Sequence, residues 1–372
     1  MNCKLTLAGV LIVCALLPSF AAGASDSPPG FFGVSENQMT ERDYDLLAEA
    51  DAGVIRTGLI FNEVKPEENG PYQWHSFDHH VTEASRHGIE VVPILFGVPS
   101  WISEERSQVP MGTKQLSREW REFLTAAVQR YGPSGEFWEG KPVSTYRPIE
   151  VWQVWNEPNS ITWWAPRPDP VEYAELLDRS ARAIEAVDPG ARVMTAGIVA
   201  RPTNEHAIRG PEYLKRLFAV PKARAATDVL AFHPFSPSVD GVRQQTVIAR
   251  RTLDRAGLDE TPIWITEVGW GSRGPERHAL IKSERGQERV LSGTFRMVLD
   301  RRERLGVERL IWYHWRDYRD DLCRWCESSG LINRKLGRKH LFGAFEAIAT
   351  PPVLSDGEDL PVFPPTPGDP YG

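Results

Sequence analysis

Short runs rich in β-branched and aromatic residues recur along the chain. Longer stretches with helical spacing of their apolar positions separate them. The runs are FFGVS (31–35), GVIRTG (53–58), EVVPIL (90–95) and IEVWQVW (149–155). Four more follow: RVMTAGI (192–198), DVLAFHPF (228–235), PIWITEVGW (262–270) and ERLIWYHW (308–315). Their length and composition suit buried strands. Helices are predicted at 40–52, 75–88, 117–131, 170–187, 212–220, 241–257, 284–305 and 339–349. Thr40 before ERDYDLLAEA and Ser117 before REWREFL read as N-caps. Eight strands alternating with helices predict a single-domain (β/α)8 TIM barrel over residues 25–349. A doubly wound open sheet would need a glycine-rich turn after its first strand, and GVSENQMT is no G-x-G-x-x-G.

The two ends of the chain read differently. Residues 1–24 carry Lys4, an apolar run from Leu5 to Leu17, and Ala22 and Ala24 placed for cleavage. That run is too short to span a bilayer, so a secretory leader is expected, with export to the periplasm or the medium. The tail, residues 350–372, holds seven prolines and four acids with no base, and reads as extended and disordered. A formal charge of −7 argues against nucleic acid as a partner, because such partners need clustered basic surface. No membrane association is expected after leader removal, and the mature protein is expected to be a monomer. Cys323 and Cys326, in DLCRWCESSG, remain once the leader is gone. A zinc site would need further cysteine or histidine at ligand spacing, and none lies nearby. In an exported chain a local disulfide is the expectation.

Chemistry belongs at the C-terminal ends of barrel strands. The fourth run ends in Asn156-Glu157-Pro158 and the seventh carries Glu267. A glutamate closing so apolar a strand is costly unless the strand opens into a site. The second run carries Arg56, the sixth His233 and the eighth Trp315. Two carboxylates facing one mouth suit glycoside hydrolysis: one acid protonates the leaving oxygen, and one carboxylate attends the other face of the sugar.

This constellation resembles the clan A glycoside hydrolases, the superfamily that includes families 5 and 39. The stretch GPYQWHSFDHHVTEASRHGIEVVPILFGVPSW (70–101) also looks like family 39 members. The resemblance implies Glu157 as acid/base, Glu267 as nucleophile and Asn156 as a ligand of the sugar 2-hydroxyl. Arg56 matches the clan's strand-two arginine, whose charge would keep the nucleophile ionised; an ion pair holding a loop is the alternative. His233 matches the H-P of the clan's H-P-Y, or is a packed core histidine. Phe235 stands where many members place tyrosine, so Tyr313 or Tyr318 would have to supply the hydroxyl.

Trp101, Trp163, Trp164, Trp270 and Trp315 fall at or after strand ends, where their flat faces would suit pyranose rings. Trp152, Trp264 and Trp312 are expected in the core. No metal or other cofactor is expected: the third and fifth strand ends lack carboxylates, and His79 and His80 are helical neighbours that cannot face one ligand. GWGSRG, after the seventh strand, is more simply a loop beside the nucleophile than a phosphate cradle. The reading is an exported retaining glycosidase acting on β-linked oligo- or polysaccharide. A carbohydrate-binding barrel without catalysis and a transglycosylase are the rivals.

Overall fold

The computed structural model describes residues 27–350 apart from 106–107, 275–277 and 320–322. The expected leader and the tail beyond Thr350 lie outside the described residues. One parallel sheet contains β1 (Phe32–Ser35), β2 (Val54–Ile60), β3 (Glu90–Phe96), β4 (Val151–Val154) and β5 (Arg192–Met194). It continues with β6 (Ile198–Val199), β7 (Leu230–His233), β8 (Ile263–Val268) and β9 (Val307–Trp312). Spatial order runs β5-β4-β3-β2-β1-β9-β8-β7-β6. The ends of that order meet, because Met194 bridges Val229 and the Thr195 N–H donates to the Val229 carbonyl at 3.0 Å. With β5 and β6 as two halves of one stave, this is the (β/α)8 barrel. Among the described residues no helix is long and apolar enough to cross a membrane.

The predicted fifth strand, 192–198, is thus broken, and two contacts explain the break. The Tyr173 hydroxyl donates to the Val154 carbonyl at 3.0 Å and accepts the Ala196 N–H, drawing that peptide off the ladder. At Gly197 a Cβ would lie 2.1 Å from Nε2 of His233, so only glycine lets the backbone pass the imidazole.

Helix boundaries shift where caps compete. Thr40 caps Glu41–Glu49 through a capping box with Asp43. The helix expected from 117 instead starts at Lys114, because Thr113 accepts the Leu116 N–H at 3.1 Å and adds most of a turn. The stretch 284–305 divides into Glu284–Leu299 and Arg302–Leu305.

Two apolar layers hold the barrel. Val54, Val92, Met194, Val229, Ala231, Trp264 and Ile311 pack as a separate cluster drawn from strands all around the sheet, which plugs the barrel's interior. A larger cluster lies between the sheet and its helices and includes Trp152 and Trp312. Side chains alternate along a strand, so Val54 and Ala231 in the plug place Arg56 and His233 one layer nearer the mouth.

Asp43 ties the helix shell to the segment after β9. Fully buried, it accepts from Trp315 Nε1 at 2.9 Å, from Arg316 Nη2 at 2.5 Å, and from the Thr40 N–H at 2.8 Å. The Thr40 hydroxyl donates to it as well, at 2.6 Å, so Asp43→Ala would remove the acceptor of four donors at once. A loss of about 3 kcal/mol is expected, the scale of a broken buried pair. Urea unfolding at unchanged m-value reads it, and a loss under about 1 kcal/mol would refute the tie.

Candidate active site

The residues after β4 answer why an apolar strand ends in a glutamate. Trp155 and Glu157 both adopt left-handed backbone, with φ of 74° and 41°. Each such turn costs a non-glycine residue of order 1–3 kcal/mol and persists only where its surroundings enforce it. Here the Trp155 N–H donates to the Leu95 carbonyl at 2.9 Å and the Glu157 N–H to that of Gly197 at 3.1 Å. The two reversals bracket Asn156 and bring the side chains of both Asn156 and Glu157 to the mouth. Glu267 arrives differently. Between Ile265 and Val268, β8 has one residue more than the facing Leu310–Trp312 of β9. This bulge re-aims the strand, and Glu267 meets Arg56.

Arg56 is fully buried and fully engaged. Its Nη1 donates to Glu267 Oε1 at 2.7 Å and to Ser35 Oγ at 3.3 Å. Nη2 donates to Asn156 Oδ1 at 2.9 Å and Nε to Gln153 Oε1 at 2.8 Å. It therefore touches side chains from β1, β8 and the stave of β4, not a peripheral loop.

His233 Nδ1 lies 2.8 Å from Glu157 Oε1 and 3.7 Å from Glu267 Oε2. Burial pushes this imidazole down to about 4; the nearby Glu267 charge opposes that and Arg56 reinforces it. With its one proton on Nδ1 the neutral ring faces the two carboxyls, while Nε2 rests partnerless against Gly197. Burial also pushes the Glu157 carboxyl up to about 7, against the pull of Arg56 and of a Trp163 hydrogen bond. One donor atom each from Glu157, His233 and Glu267 lie within 4.8 Å of one another. Among the described residues this is the one grouping with metal-ligand chemistry, yet its His233 Nδ1 already faces a carboxylate.

The tryptophans divide. Trp101 and Trp163 are half-buried: Trp101 Nε1 donates to the Lys65 carbonyl at 3.0 Å, and the Trp163 ring lies 5.4 Å from Phe96. Trp164, Trp270 and Trp315, expected as sugar platforms, have no exposed surface. Their indoles are consumed by Glu172 at 3.2 Å, the Ser236 carbonyl at 2.8 Å and Asp43 at 2.9 Å. Position after a strand end did not separate rim from core, because the covering comes from elements distant in sequence. Phe235 packs 5.3 Å from Trp325, a half-buried ring between Cys323 and Cys326. Those cysteines are joined, with Cα atoms 5.3 Å apart. The Tyr313 and Tyr318 hydroxyls lie 2.8 Å from each other.

Sequence reasoning missed Gln153 and Ser35, which hold Arg56, and a second charged pair. Glu36 follows β1 much as Glu157 follows β4, and GVSEN shows that signal. Its Oε1 accepts the Asn37 and Gln38 N–H groups at 2.9 and 3.1 Å, and its Oε2 lies 3.1 Å from His314 Nδ1. Burial pulls the His314 imidazole down, but Glu36, the Arg316 carbonyl and Glu267 hold it above its ordinary value. Burial likewise opposes the Glu36 charge, yet His314 and the two N–H groups leave its carboxyl below the ordinary value.

The pair therefore stabilises the fold within a pH window. Glu36 contributes above its ordinary value of 4.5 and loses that contribution as pH falls through its lowered value. His314 contributes below its ordinary 6.5, and that contribution is lost as pH rises through its raised value. The stability gap between wild type and Glu36→Gln should be widest at about pH 5–6.5 and narrow on both sides. Urea midpoints across the pH range measure it, and a gap that kept growing above pH 9 would contradict the assignment.

No protein-family model matches the sequence, and no curated protein matches it. Solved structures do match its fold. A family 39 glycoside hydrolase from Bacteroides cellulosilyticus aligns at TM-score 0.63 and 18% identity, over 90% of this chain and 66% of that one. A monomeric β-xylosidase from Caulobacter crescentus aligns at TM-score 0.64 and 20% identity, over 87% and 69%. An endo-β-1,4-mannanase from Thermotoga petrophila aligns at 0.58 and 13%, over 88% and 77%. The chain spans about two thirds of the length of the first two. At such identities the likeness concerns the fold alone: the chain shares its (β/α)8 barrel with these glycoside hydrolase structures.

Proposed function

We propose that the chain is an exported retaining glycosidase that cleaves β-O-glycosidic bonds in oligo- or polysaccharide. One observation carries the reading: Glu157 and Glu267 bring carboxylate oxygens within 4.8 Å of each other at the barrel mouth. Inverting enzymes hold their carboxyl groups about 6.5–9.5 Å apart to seat a water, whereas retaining enzymes hold them at about 5–5.5 Å. The spacing here favours direct attack by one carboxylate. The fold neighbours, named as a xylosidase and a mannanase among others, support the same class.

The environments assign the roles. Glu267, tied to Arg56, attacks the anomeric carbon while Glu157 gives its proton to the leaving oxygen. A covalent glycosyl–Glu267 ester forms, and the aglycone departs as an alcohol. Glu157, now a carboxylate, takes a proton from water, and that water releases the sugar with its configuration retained. His233 donates to Glu157 and stays neutral, so it orients that carboxyl without competing for its proton. Asn156, held by Arg56, presents its amide N–H groups for the sugar 2-hydroxyl.

Two tests follow. Glu267→Ala should abolish turnover of 4-nitrophenyl β-xyloside, β-glucoside, β-mannoside and β-galactoside alike. Glu157→Ala should lower turnover of unactivated glycan by about 10²–10⁴-fold. It should keep the first step with 2,4-dinitrophenyl glycosides, whose leaving group needs no proton. Added azide should restore its turnover and yield a β-glycosyl azide; an α-azide, or full activity on glycan, would refute the roles. The second test is a pH profile. Because Glu157 must be protonated for the first step and is raised to about 7, kcat/KM on glycan should fall above that pH. In Glu157→Gln that limb should vanish, and its persistence would point to another acid.

A further inference from the structure

The chain is acidic overall, with a formal charge of −7, yet one face gathers cations. A groove of about 960 Å³ lies against the helices Gly210–Phe218 and Val239–Arg255. Arg209, Lys215, Arg224 and Arg255 line it, and Glu212 is its one carboxylate. Glu212 is already committed to Arg216 at 2.7 Å. Arg224 donates to the Phe218 carbonyl, whereas Arg209, Lys215 and Arg255 form no ion pair with a described residue. Several other helix arginines are matched within their own helix, as in Arg179 with Glu175 and Arg243 with Asp240. Four cations gathered around one concavity with a single carboxylate repel one another, and an anionic ligand would relieve that repulsion.

The groove is also apolar along its floor, where Ile248 is 40% exposed beside Ala219 and Ala256. A smaller pocket of about 160 Å³ adjoins it at Arg209, Pro211 and Ile248, and adds Arg201. Gln245 lines that pocket; it is 4% exposed, its amide N–H donates to the Phe235 carbonyl at 3.2 Å, and its Oε1 has no partner. A buried acceptor without a donor awaits one from outside, and a hydroxyl supplies it. Inorganic phosphate would use the cations and leave both the floor and Gln245 unused.

The position of the groove identifies its ligand further. Val199 is in register with His233, and the Ala200 N–H donates to the His233 carbonyl at 3.1 Å. The Asn159 side-chain amide, two residues beyond Glu157, donates to the Val199 and Ile208 carbonyls at 2.8 Å each. The segment bearing Arg201 and Arg209 is therefore fastened to the strand of the site histidine and to the loop of the site acid. A polymer leaving the mouth on this side meets Arg201 and Arg209 first, and the groove then runs down the flank between the two helices toward Arg255 at the C-terminal end of its helix.

We propose that this groove is a second binding site, for the anionic extension of a polysaccharide whose scissile bond lies between Glu157 and Glu267. The proposal rests on the glycosidase reading and narrows it to β-glycans bearing carboxylate or sulfate groups. Pyranose C–H faces lie on Ile248, hydroxyls reach Gln245, and the acidic groups meet guanidinium forks. No tryptophan or tyrosine lines the groove and its Phe218 is buried, so a neutral chain has no exposed ring to stack on.

The test compares two polymers with one β-glucan backbone, carboxymethyl cellulose and the neutral hydroxyethyl cellulose. Calorimetric titration into Glu157→Gln protein, which does not consume them, should find the acidic polymer bound at least ten-fold more tightly. That preference should fade between 50 and 500 mM salt. Arg209→Glu with Arg255→Glu should remove it, and the milder Arg209→Gln with Lys215→Gln should weaken it several-fold. All four substitutions lie on exposed side chains. Introduced into the otherwise wild-type enzyme, they should leave turnover of a 4-nitrophenyl glycoside and the thermal midpoint unchanged. Equal affinity for the two polymers, or wild-type affinity in the charge-reversed variant, overturns the groove. So does equally tight binding of single-stranded DNA or anionic vesicles through the same residues, which marks a general cation surface. Failure of the wild-type enzyme to turn over any aryl glycoside would instead sink the glycosidase reading, whatever the polymers show.

Discussion

The Arg56 guanidinium is the constraint around which the mouth is organised. A buried charge without partners is prohibitively costly, and removing one partner of a buried pair typically costs about 3–5 kcal/mol. Arg56 meets that demand by drawing in four side chains. Glu267 answers its charge, and Asn156, Gln153 and Ser35 answer its remaining donors. Because the fork is planar and rigid, these acceptors are fixed relative to one another. Stability and site geometry are thus one requirement. A barrel that failed to bring Glu267 and Asn156 together would leave a guanidinium unpaired in its core.

The local distortions of the barrel follow from serving that centre. A regular strand presents side chains to the axis only at every second residue. Asn156 and Glu157 are neighbours and both reach the mouth, which straight β4 geometry forbids; the left-handed turns at Trp155 and Glu157 resolve the conflict. Glu267 is reached through the bulge in β8, and His233 through the break between β5 and β6 at Gly197. These three departures from ideal barrel geometry each sit beside a residue of the site.

Much of this was legible in sequence, and the boundary of legibility is physical. Strand and helix order follows from patterning, and Arg56, Glu157, His233 and Glu267 follow from asking which polar residues close apolar strands. What could not be read depends on partners distant in sequence. Trp164, Trp270 and Trp315 differ from Trp101 and Trp163 in how completely the surrounding elements cover the ring, and no local pattern encodes Asp43 beneath Trp315. The break at Gly197 depends on Tyr173 and His233, on other elements. Glu36 was the exception. Its place after β1 was visible, but a lone acid in a polar turn carries no mark until His314 is seen against it.

The two carboxylates of the site show how one barrel separates like groups. Glu267 has a permanent cation in contact at 2.7 Å, and Arg56 cannot lose its proton. Glu157 has a neutral imidazole at 2.8 Å, and burial dominates its environment. The neutrality of His233 is itself imposed, since the same burial that lifts Glu157 lowers the histidine. Were His233 charged, it would stabilise the Glu157 anion and erase the difference between the two acids. Gly197 closes the arrangement from behind. By pressing backbone against Nε2 it leaves that nitrogen without an acceptor for a second proton, so the imidazole keeps one proton and directs it at Glu157. The two carboxyls thus differ partly through a glycine, whose own carbonyl accepts the Glu157 N–H at 3.1 Å.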